Sequence, residues 1–214
     1  NGMRASQAQW KLIGNQVVFH QWIIKPGLNN PAPAQLGELL APSGLNGDAW
    51  DGYSAERQRI INALRGDDGG APINNVVILT GDVHTAWVAD ITDNPNQPID
   101  LAGGYNPITG QGSVATEFVV TSVTSPGLDL PNQIIQAIRL TSPHIKHVNV
   151  TERGYSVLRV SEAKTTCEYW AVSTILERGG SETLSATFEV ADGANRISPQ
   201  GLYPVDVVTG LLGV

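Results

Sequence analysis

The stretch Val76-Val77-Ile78-Leu79-Thr80-Gly81-Asp82-Val83-His84-Thr85-Ala86-Trp87 decides how the rest of the chain is read. Residues 76–80 are mostly β-branched or apolar, the pattern of a strand buried on both faces. Gly81 is expected to turn the backbone sharply, with no Cβ in the way. In open α/β sheets, ligands bind beyond the carboxyl ends of strands. Asp82 and His84 fall there, two positions apart, and in an extended segment their side chains would face one side. A carboxylate oxygen beside an imidazole nitrogen suits zinc, iron or manganese. The same residue types also serve structure: Asp after Gly is a frequent turn former, and a nearby His is often a hydrogen-bonded structural residue.

Outward from this strand the pattern is mixed α/β. Upstream, Trp50-Asp51-Gly52-Tyr53 leads into a helix that Ser54 can start, with Glu56 in its first turn and Arg65 near its end before Gly66. Ile60, Ile61 and Leu64 form its apolar face. Helix followed by strand at this spacing is an α/β unit. Earlier still, Trp10 to Phe19 reads as a core strand. His20 follows it and reads as a core histidine as readily as a ligand. Pro26 to Ala49 is a loop of about two dozen residues, long enough to border a cleft.

Downstream, Val88 to Ile91 reads as a short strand, Asp93 to Gly112 as loop, and Ser113 to Thr121 as another strand. Thr121-Ser122-Val123-Thr124-Ser125-Pro126-Gly127 is a hydroxyl-rich turn, suited either to phosphate or to capping local backbone. Pro131 fits the first turn of a helix whose buried face carries Ile134, Ile135 and Ile138. His144 and His147 follow and form no zinc constellation by themselves. Arg153–Val160, Thr166–Val172 and Thr183–Val190 then read as successive strands. Leu184, Ala186, Phe188 and Val190 alternate with polar residues, leaving one wet face. Cys167 reads as a buried packing residue, since no acid–base partner is near it in sequence.

The whole chain has 214 residues, 41% hydrophobic and 15% charged, enough for one well-buried domain. A net charge of −7 argues against binding a nucleic-acid backbone. It leaves a phosphate-ester enzyme open, because bound metals supply positive charge locally. A single cysteine excludes an intrachain disulfide. No apolar run approaches the ~18–20 residues of a membrane span, and no signal-peptide pattern is present.

Thr80-Gly81-Asp82-Val83-His84, preceded by Trp50-Asp51-Gly52-Tyr53 and Glu56-Arg57, resembles the PhoD-like alkaline phosphatase/phosphodiesterase family. Thr116-Glu117-Phe118, Thr121 to Gly127, Pro143-His144-Ile145-Lys146 and Arg153-Gly154-Tyr155 fit it in the same order. The resemblance runs from about Trp10 to about Val172 and implies the fold of calcineurin-like metallophosphoesterases, a β-sandwich flanked by helices. Here it implies the carboxyl-terminal half of that α/β (α+β) fold, ending in a β-meander, with 1–192 as the domain part and 193–214 as a surface-wrapping tail.

The resemblance further implies hydrolysis of phosphate mono- or diesters, with Asp82 and His84 as metal ligands and calcium and iron as the expected ions, zinc or manganese being alternatives. A backbone carbonyl or carboxylate is expected to hold the far nitrogen of His84. Trp50, Asp51, Tyr53 and His144 become candidates for substrate contact or for places near the site. Tyr53 offers a hydroxyl for a phosphate oxygen; Asp51 could orient it or cap the helix. Gly14-Asn15-Gln16 invites comparison with the Gly-Asn-His block of metallophosphoesterases, but its third residue is Gln, which favours a strand-end hydrogen-bonding role for Asn15.

The remaining ligands, including an Asp-Asp-His-Glu block, an upstream Gly-Asp block and an iron-ligating cysteine, have no counterpart in this sequence. The chain is therefore expected to hold part of an active site whose other part lies in an amino-terminal segment, with periplasmic or extracellular location implied by the family. The competing reading is a non-catalytic β-rich binding or accessory module.

Overall fold

The computed structural model describes residues 2–22, 48–99, 101, 103–127, 135, 138–139 and 141–199. The sequence elements expected over Pro26–Ala49 and from Pro131 to Ile134 lie almost wholly outside these residues.

Val76–Thr80 does form a strand, β2, once a short helix α1 (Gly2–Ala5), strand β1 (Lys11–Asn15) and helix α2 (Ser54–Arg65) have preceded it. β3 (Ala86–Ile91), β4 (Ala115–Val119) and β5 (Ile145–Asn149) complete a five-stranded sheet of order β1-β2-β4-β3-β5. β2 runs parallel to both neighbours, β1 and β4, while β3 is antiparallel to β4 and β5. Strands flanked in this way are covered on both faces, which is why β2 reads as a near-continuous apolar run.

The last third forms β6 (Arg153–Val160), β7 (Lys164–Val172) and β8 (Glu182–Ala191), an antiparallel three-stranded meander. It packs on one face of the first sheet. Val77, Ala86, Val88 and Phe118 meet Cys167, Tyr169, Phe188 and Val190 between the two sheets. The opposite face carries α2, where Ile61 and Leu64 bury against Val76, Ile78, Ile91 and Ala115. Beside it lies a tryptophan-rich cluster of Trp22, Trp87, Val119, Ile138 and Ile145. α2 ends on Gly66, whose φ of 90° is left-handed and whose N–H closes on the Asn62 carbonyl.

Three expectations are corrected. The run Trp10–Phe19 yields only the edge strand Lys11–Asn15, half-covered by its neighbours, and not a core strand. The buried residues Val18 and Phe19 sit in irregular backbone held by side chains. Alternation along β8 holds from Ala186 to Val190 and breaks at Ser185. There Tyr169 pairs with Ala186 but Trp170 pairs with Leu184, a bulge that leaves Leu184 46% exposed. Packing also continues past residue 192: Ile197 is 2% exposed between the sheets, and its N–H donates to the buried Asp90. Among the described residues no helix is long and apolar enough to cross a membrane.

Candidate functional site

The carboxyl ends of β1, β2 and β4 lie side by side, with Asn15 opposite Thr80 and Thr80 opposite Val119. Two polar assemblies start there, one inside the protein and one at its surface.

The interior one centres on Glu117 of β4, which is fully buried. One carboxylate oxygen accepts from the Phe19 N–H (2.9 Å) and the Thr80 hydroxyl (2.6 Å). The other accepts from the His20 N–H (2.8 Å) and from His20 Nδ1 (2.6 Å). His20 Nε2 accepts from the Trp22 indole at 2.7 Å. An indole N–H only donates, so this bond calls on the Nε2 lone pair, and Nδ1 donates to Glu117. Burial alone would raise the Glu117 pKa, but the electrostatic pull of the His20 ring, followed by the hydrogen bonds from His20, Thr80 and Phe19, outweighs it and holds the carboxyl below its ordinary value.

Asp51 and Arg57 tie down the same segment from the other side. Asp51 accepts from the Trp22 N–H at 3.0 Å. Burial raises its pKa against the opposing pull of that bond and of Arg57. Arg57 donates to the Phe19 and Thr92 carbonyls at 2.8 and 3.1 Å and lies over the Phe19 ring. Burial brings its pKa down to about 10.

The surface assembly is the Gly81–Thr85 bend. It is not extended. Asp82 and His84 have φ of 72° and 55°, both left-handed, so the alternation argument that would put their side chains on one side does not hold. The Val83 N–H closes on the Gly81 carbonyl at 2.9 Å across Asp82, a tight γ-turn of the rare form with positive φ. Gly81 itself needs no glycine: a Cβ there would meet nothing within 4 Å, and the unusual dihedral falls one residue later. Non-glycine residues held at positive φ cost of order 1–3 kcal/mol and cluster at functional sites.

Asp82 is exposed and His84 half-buried. His84 Nδ1 donates to the Pro126 carbonyl at 3.0 Å. That bond fixes the proton on Nδ1 and leaves Nε2 with a lone pair, the arrangement of a metal-ligating histidine. The Thr121–Gly127 turn thus serves His84 through its backbone. Its hydroxyls are engaged locally: Ser122 donates to the Ser125 carbonyl at 2.8 Å, and Thr121 lies 3.1 Å from the His84 carbonyl. Among the described residues no group of three or more His, Cys, Asp or Glu is placed to hold a metal ion. Asp82 and His84 are the acid and imidazole that this bend carries.

The other sequence candidates separate from this bend to different degrees. Trp50 donates its indole N–H to Asn15 Oδ1 at 3.2 Å, and the Asn15 amide reaches the Thr80 hydroxyl at 3.3 Å. Asn15 is thus a strand-end hydrogen-bonding residue with its oxygen engaged. Asp51 accepts from Trp22 and does not cap α2; the residue before α2 makes no side-chain cap. Tyr53 is 58% exposed. His144 is 1% exposed, donates from Nε2 to the Gln21 carbonyl at 2.9 Å and faces the His20 ring. It is an interior residue, and burial lowers its pKa well below the ordinary value. Cys167 packs between the sheets with its thiol pushed up by burial to about 12, which rules out an easily formed thiolate nucleophile.

Residues 1–169 match the family described as PhoD-like phosphatase. The chain belongs to the PhoD-like phosphatase family. It is 30% identical over 189 residues to alkaline phosphatase D of Bacillus subtilis (strain 168), an alignment covering 88% of this chain and 27% of that protein. A solved structure of PhoD superposes with a TM-score of 0.69 at 26% identity, covering 95% of this chain and 34% of that one. The chain thus spans about a quarter to a third of the length of the PhoD relatives it matches, and the two-sheet architecture is shared with that structure.

The sequence places Glu117, Arg153 and Pro126 in the family-like blocks but assigns none of them a role. Glu117 had a signal: an acid in the middle of an apolar strand demands buried partners. A backbone carbonyl that orients an imidazole from 42 positions away has none.

Proposed function

We propose that this chain contributes part of the active site of a metal-dependent phosphoesterase that hydrolyses phosphate mono- or diesters. The observation that carries the reading is the His84 imidazole, fixed by Pro126 and with Nε2 free among the described residues, in a strained bend beside the exposed Asp82. The Asp82 carboxylate and His84 Nε2 would hold the metal, calcium and iron being the first choices and zinc or manganese the others. Bound metal would activate a water and neutralise the attacked phosphate oxygens. Asp82 offers its charge at the rim, where a second donor set can approach. The Nδ1–H bond to Pro126 keeps His84 in the tautomer that ligates through Nε2. Two donors fall short of the four or more that a hydrolytic metal site needs, so these residues alone should show weak or no turnover.

The experiment compares wild type with Asp82→Ala and His84→Ala. Uptake of Fe³⁺, Ca²⁺, Zn²⁺ and Mn²⁺ is measured by calorimetry, and hydrolysis of p-nitrophenyl phosphate and bis(p-nitrophenyl) phosphate is measured in the complete protein. Each substitution should weaken metal binding at least about tenfold and abolish hydrolysis. Unchanged metal uptake and turnover in the double variant would remove the pair from the site. No uptake by the complete wild-type protein would favour the binding-module reading.

A further inference from the structure

Arg153 is the first residue of β6, half-buried, and forms no ion pair among the described residues. Among the described residues its guanidinium bonds only to main-chain carbonyls. Nε donates to Ser125 at 3.1 Å, and Nη1 to Glu152 at 2.9 Å and Thr151 at 3.3 Å. Nη2 packs directly on Gly127, so closely that a methyl group there would overlap it.

A rigid planar fork with several donors, satisfied by carbonyls alone, acts as a splint between two backbone segments. Here the segments are the 122–127 loop and the entry to β6. The same loop is bound at two more points: the Gly154 N–H donates to the Ser122 carbonyl at 3.1 Å, and the Ser122 hydroxyl shares the Ser125 carbonyl with Arg153. The next carbonyl along, Pro126, is the one that holds His84 Nδ1. The Thr121 hydroxyl closes the ring of contacts, lying 3.1 Å from the His84 carbonyl and 3.0 Å from the Glu152 carbonyl.

We propose that Arg153 is a positioning residue for His84: by clamping Ser125 and Gly127 it aims the Pro126 carbonyl at Nδ1, keeping the proton there and the Nε2 lone pair presented outward. In water a neutral imidazole prefers its proton on Nε2, so the ligating tautomer depends on this external acceptor staying in place. That His84 then holds metal rests on the function proposed above; that Arg153 sets its tautomer does not.

The protein has four histidines, so ¹⁵N-histidine labelling resolves each ring in a long-range ¹H–¹⁵N spectrum. At alkaline pH and without metal, the wild-type His84 ring should show the Nδ1–H pattern. Arg153→Ala should shift it toward Nε2–H, and Arg153→Lys, which keeps the charge but loses the fork, should restore it only in part. Should Arg153→Ala fail to fold, Gly127→Ala displaces the guanidinium while leaving the arginine in the chain, and should produce the same shift. Arg159→Ala, which removes an exposed β6 arginine paired with Glu168, serves as the control and should change nothing at His84.

Zn²⁺ titration of the same variants should show affinity about 10–100-fold weaker for Arg153→Ala, the usual cost of losing a residue that orients a ligand. A folded Arg153→Ala or Gly127→Ala protein with an unaltered His84 tautomer overturns the proposal. A shifted tautomer with unaltered Zn²⁺ affinity upholds it and counts instead against His84 as a ligand.

Discussion

Two polar assemblies grow from the end of the same strand and could hardly differ more. The Thr80 hydroxyl points inward to Glu117, where every donor around the carboxylate is matched and nothing reaches water. Two to four residues later, Asp82 and His84 sit in left-handed backbone at the surface, with His84 Nε2 free of any protein partner among the described residues. Fully satisfied polar groups in a low-dielectric interior rigidify a fold. Strained backbone with an open lone pair stores capacity for a ligand. The interior assembly is built to be finished, and the surface one to be completed by something else.

This contrast gives the largest expected effect. Glu117→Ala strands four buried donors and should lower stability by about 3–5 kcal/mol in urea denaturation. His84→Ala removes one hydrogen bond at a half-buried place and should cost no more than ~1 kcal/mol while weakening metal binding. Equal losses in both variants would mean that the bend is as structural as the core.

Acid should act on the enclosed histidines. Burial against the Tyr169 and Phe188 rings lowers the His147 pKa to about 4, and His144 is lowered in the same direction by its enclosure. For both, the unfolded chain takes up a proton first as pH falls. Stability is therefore complete above the ordinary value of 6.5 and declines below it, for His147 down to about 4. His147 alone should contribute about 2–3 kcal/mol to this loss. Glu117, held below its ordinary 4.5, adds its own loss only as pH falls further. Thermal melts between pH 7 and 4 should show the decline, and His147→Leu should flatten it; a pH-independent melting temperature would contradict the burial of these rings.

The smallest effect sharpens the bend itself. Asp82→Gly relaxes a φ of 72° that glycine adopts freely, and should raise stability by about 0.5–1 kcal/mol while abolishing the carboxylate donor. A loss of stability would show that Asp82 is held by contacts stronger than its strain.

Much of the frame was legible because it is periodic. The apolar run at Val76–Thr80, the Ser54–Arg65 helix with Gly66 beyond it, and the three alternating terminal strands all follow from side-chain spacing. The edge position of Lys11–Asn15 was not legible, since an apolar run does not say how many neighbours will cover it. The Ser185 bulge and the burial of Ile197 likewise depend on partner strands far along the chain. At the candidate site, the residue types at Asp82 and His84 could be read, but their geometry could not. The turn falls on Asp82 and not on Gly81, because the closing bond from Val83 to Gly81 sets the dihedral of the residue between them.

By itself the sequence determined the central strand, the Ser54–Arg65 helix and the terminal meander, and which acid and imidazole follow the central strand, because these depend on local propensity and spacing. Tertiary structure alone decided that Glu117 is sealed with His20 and Thr80, that Asp51 and His144 face inward, and that Pro126 chooses the nitrogen of His84 left free. Those are matters of which donor meets which acceptor across the fold, and only the packed chain brings them within 3 Å or so of each other.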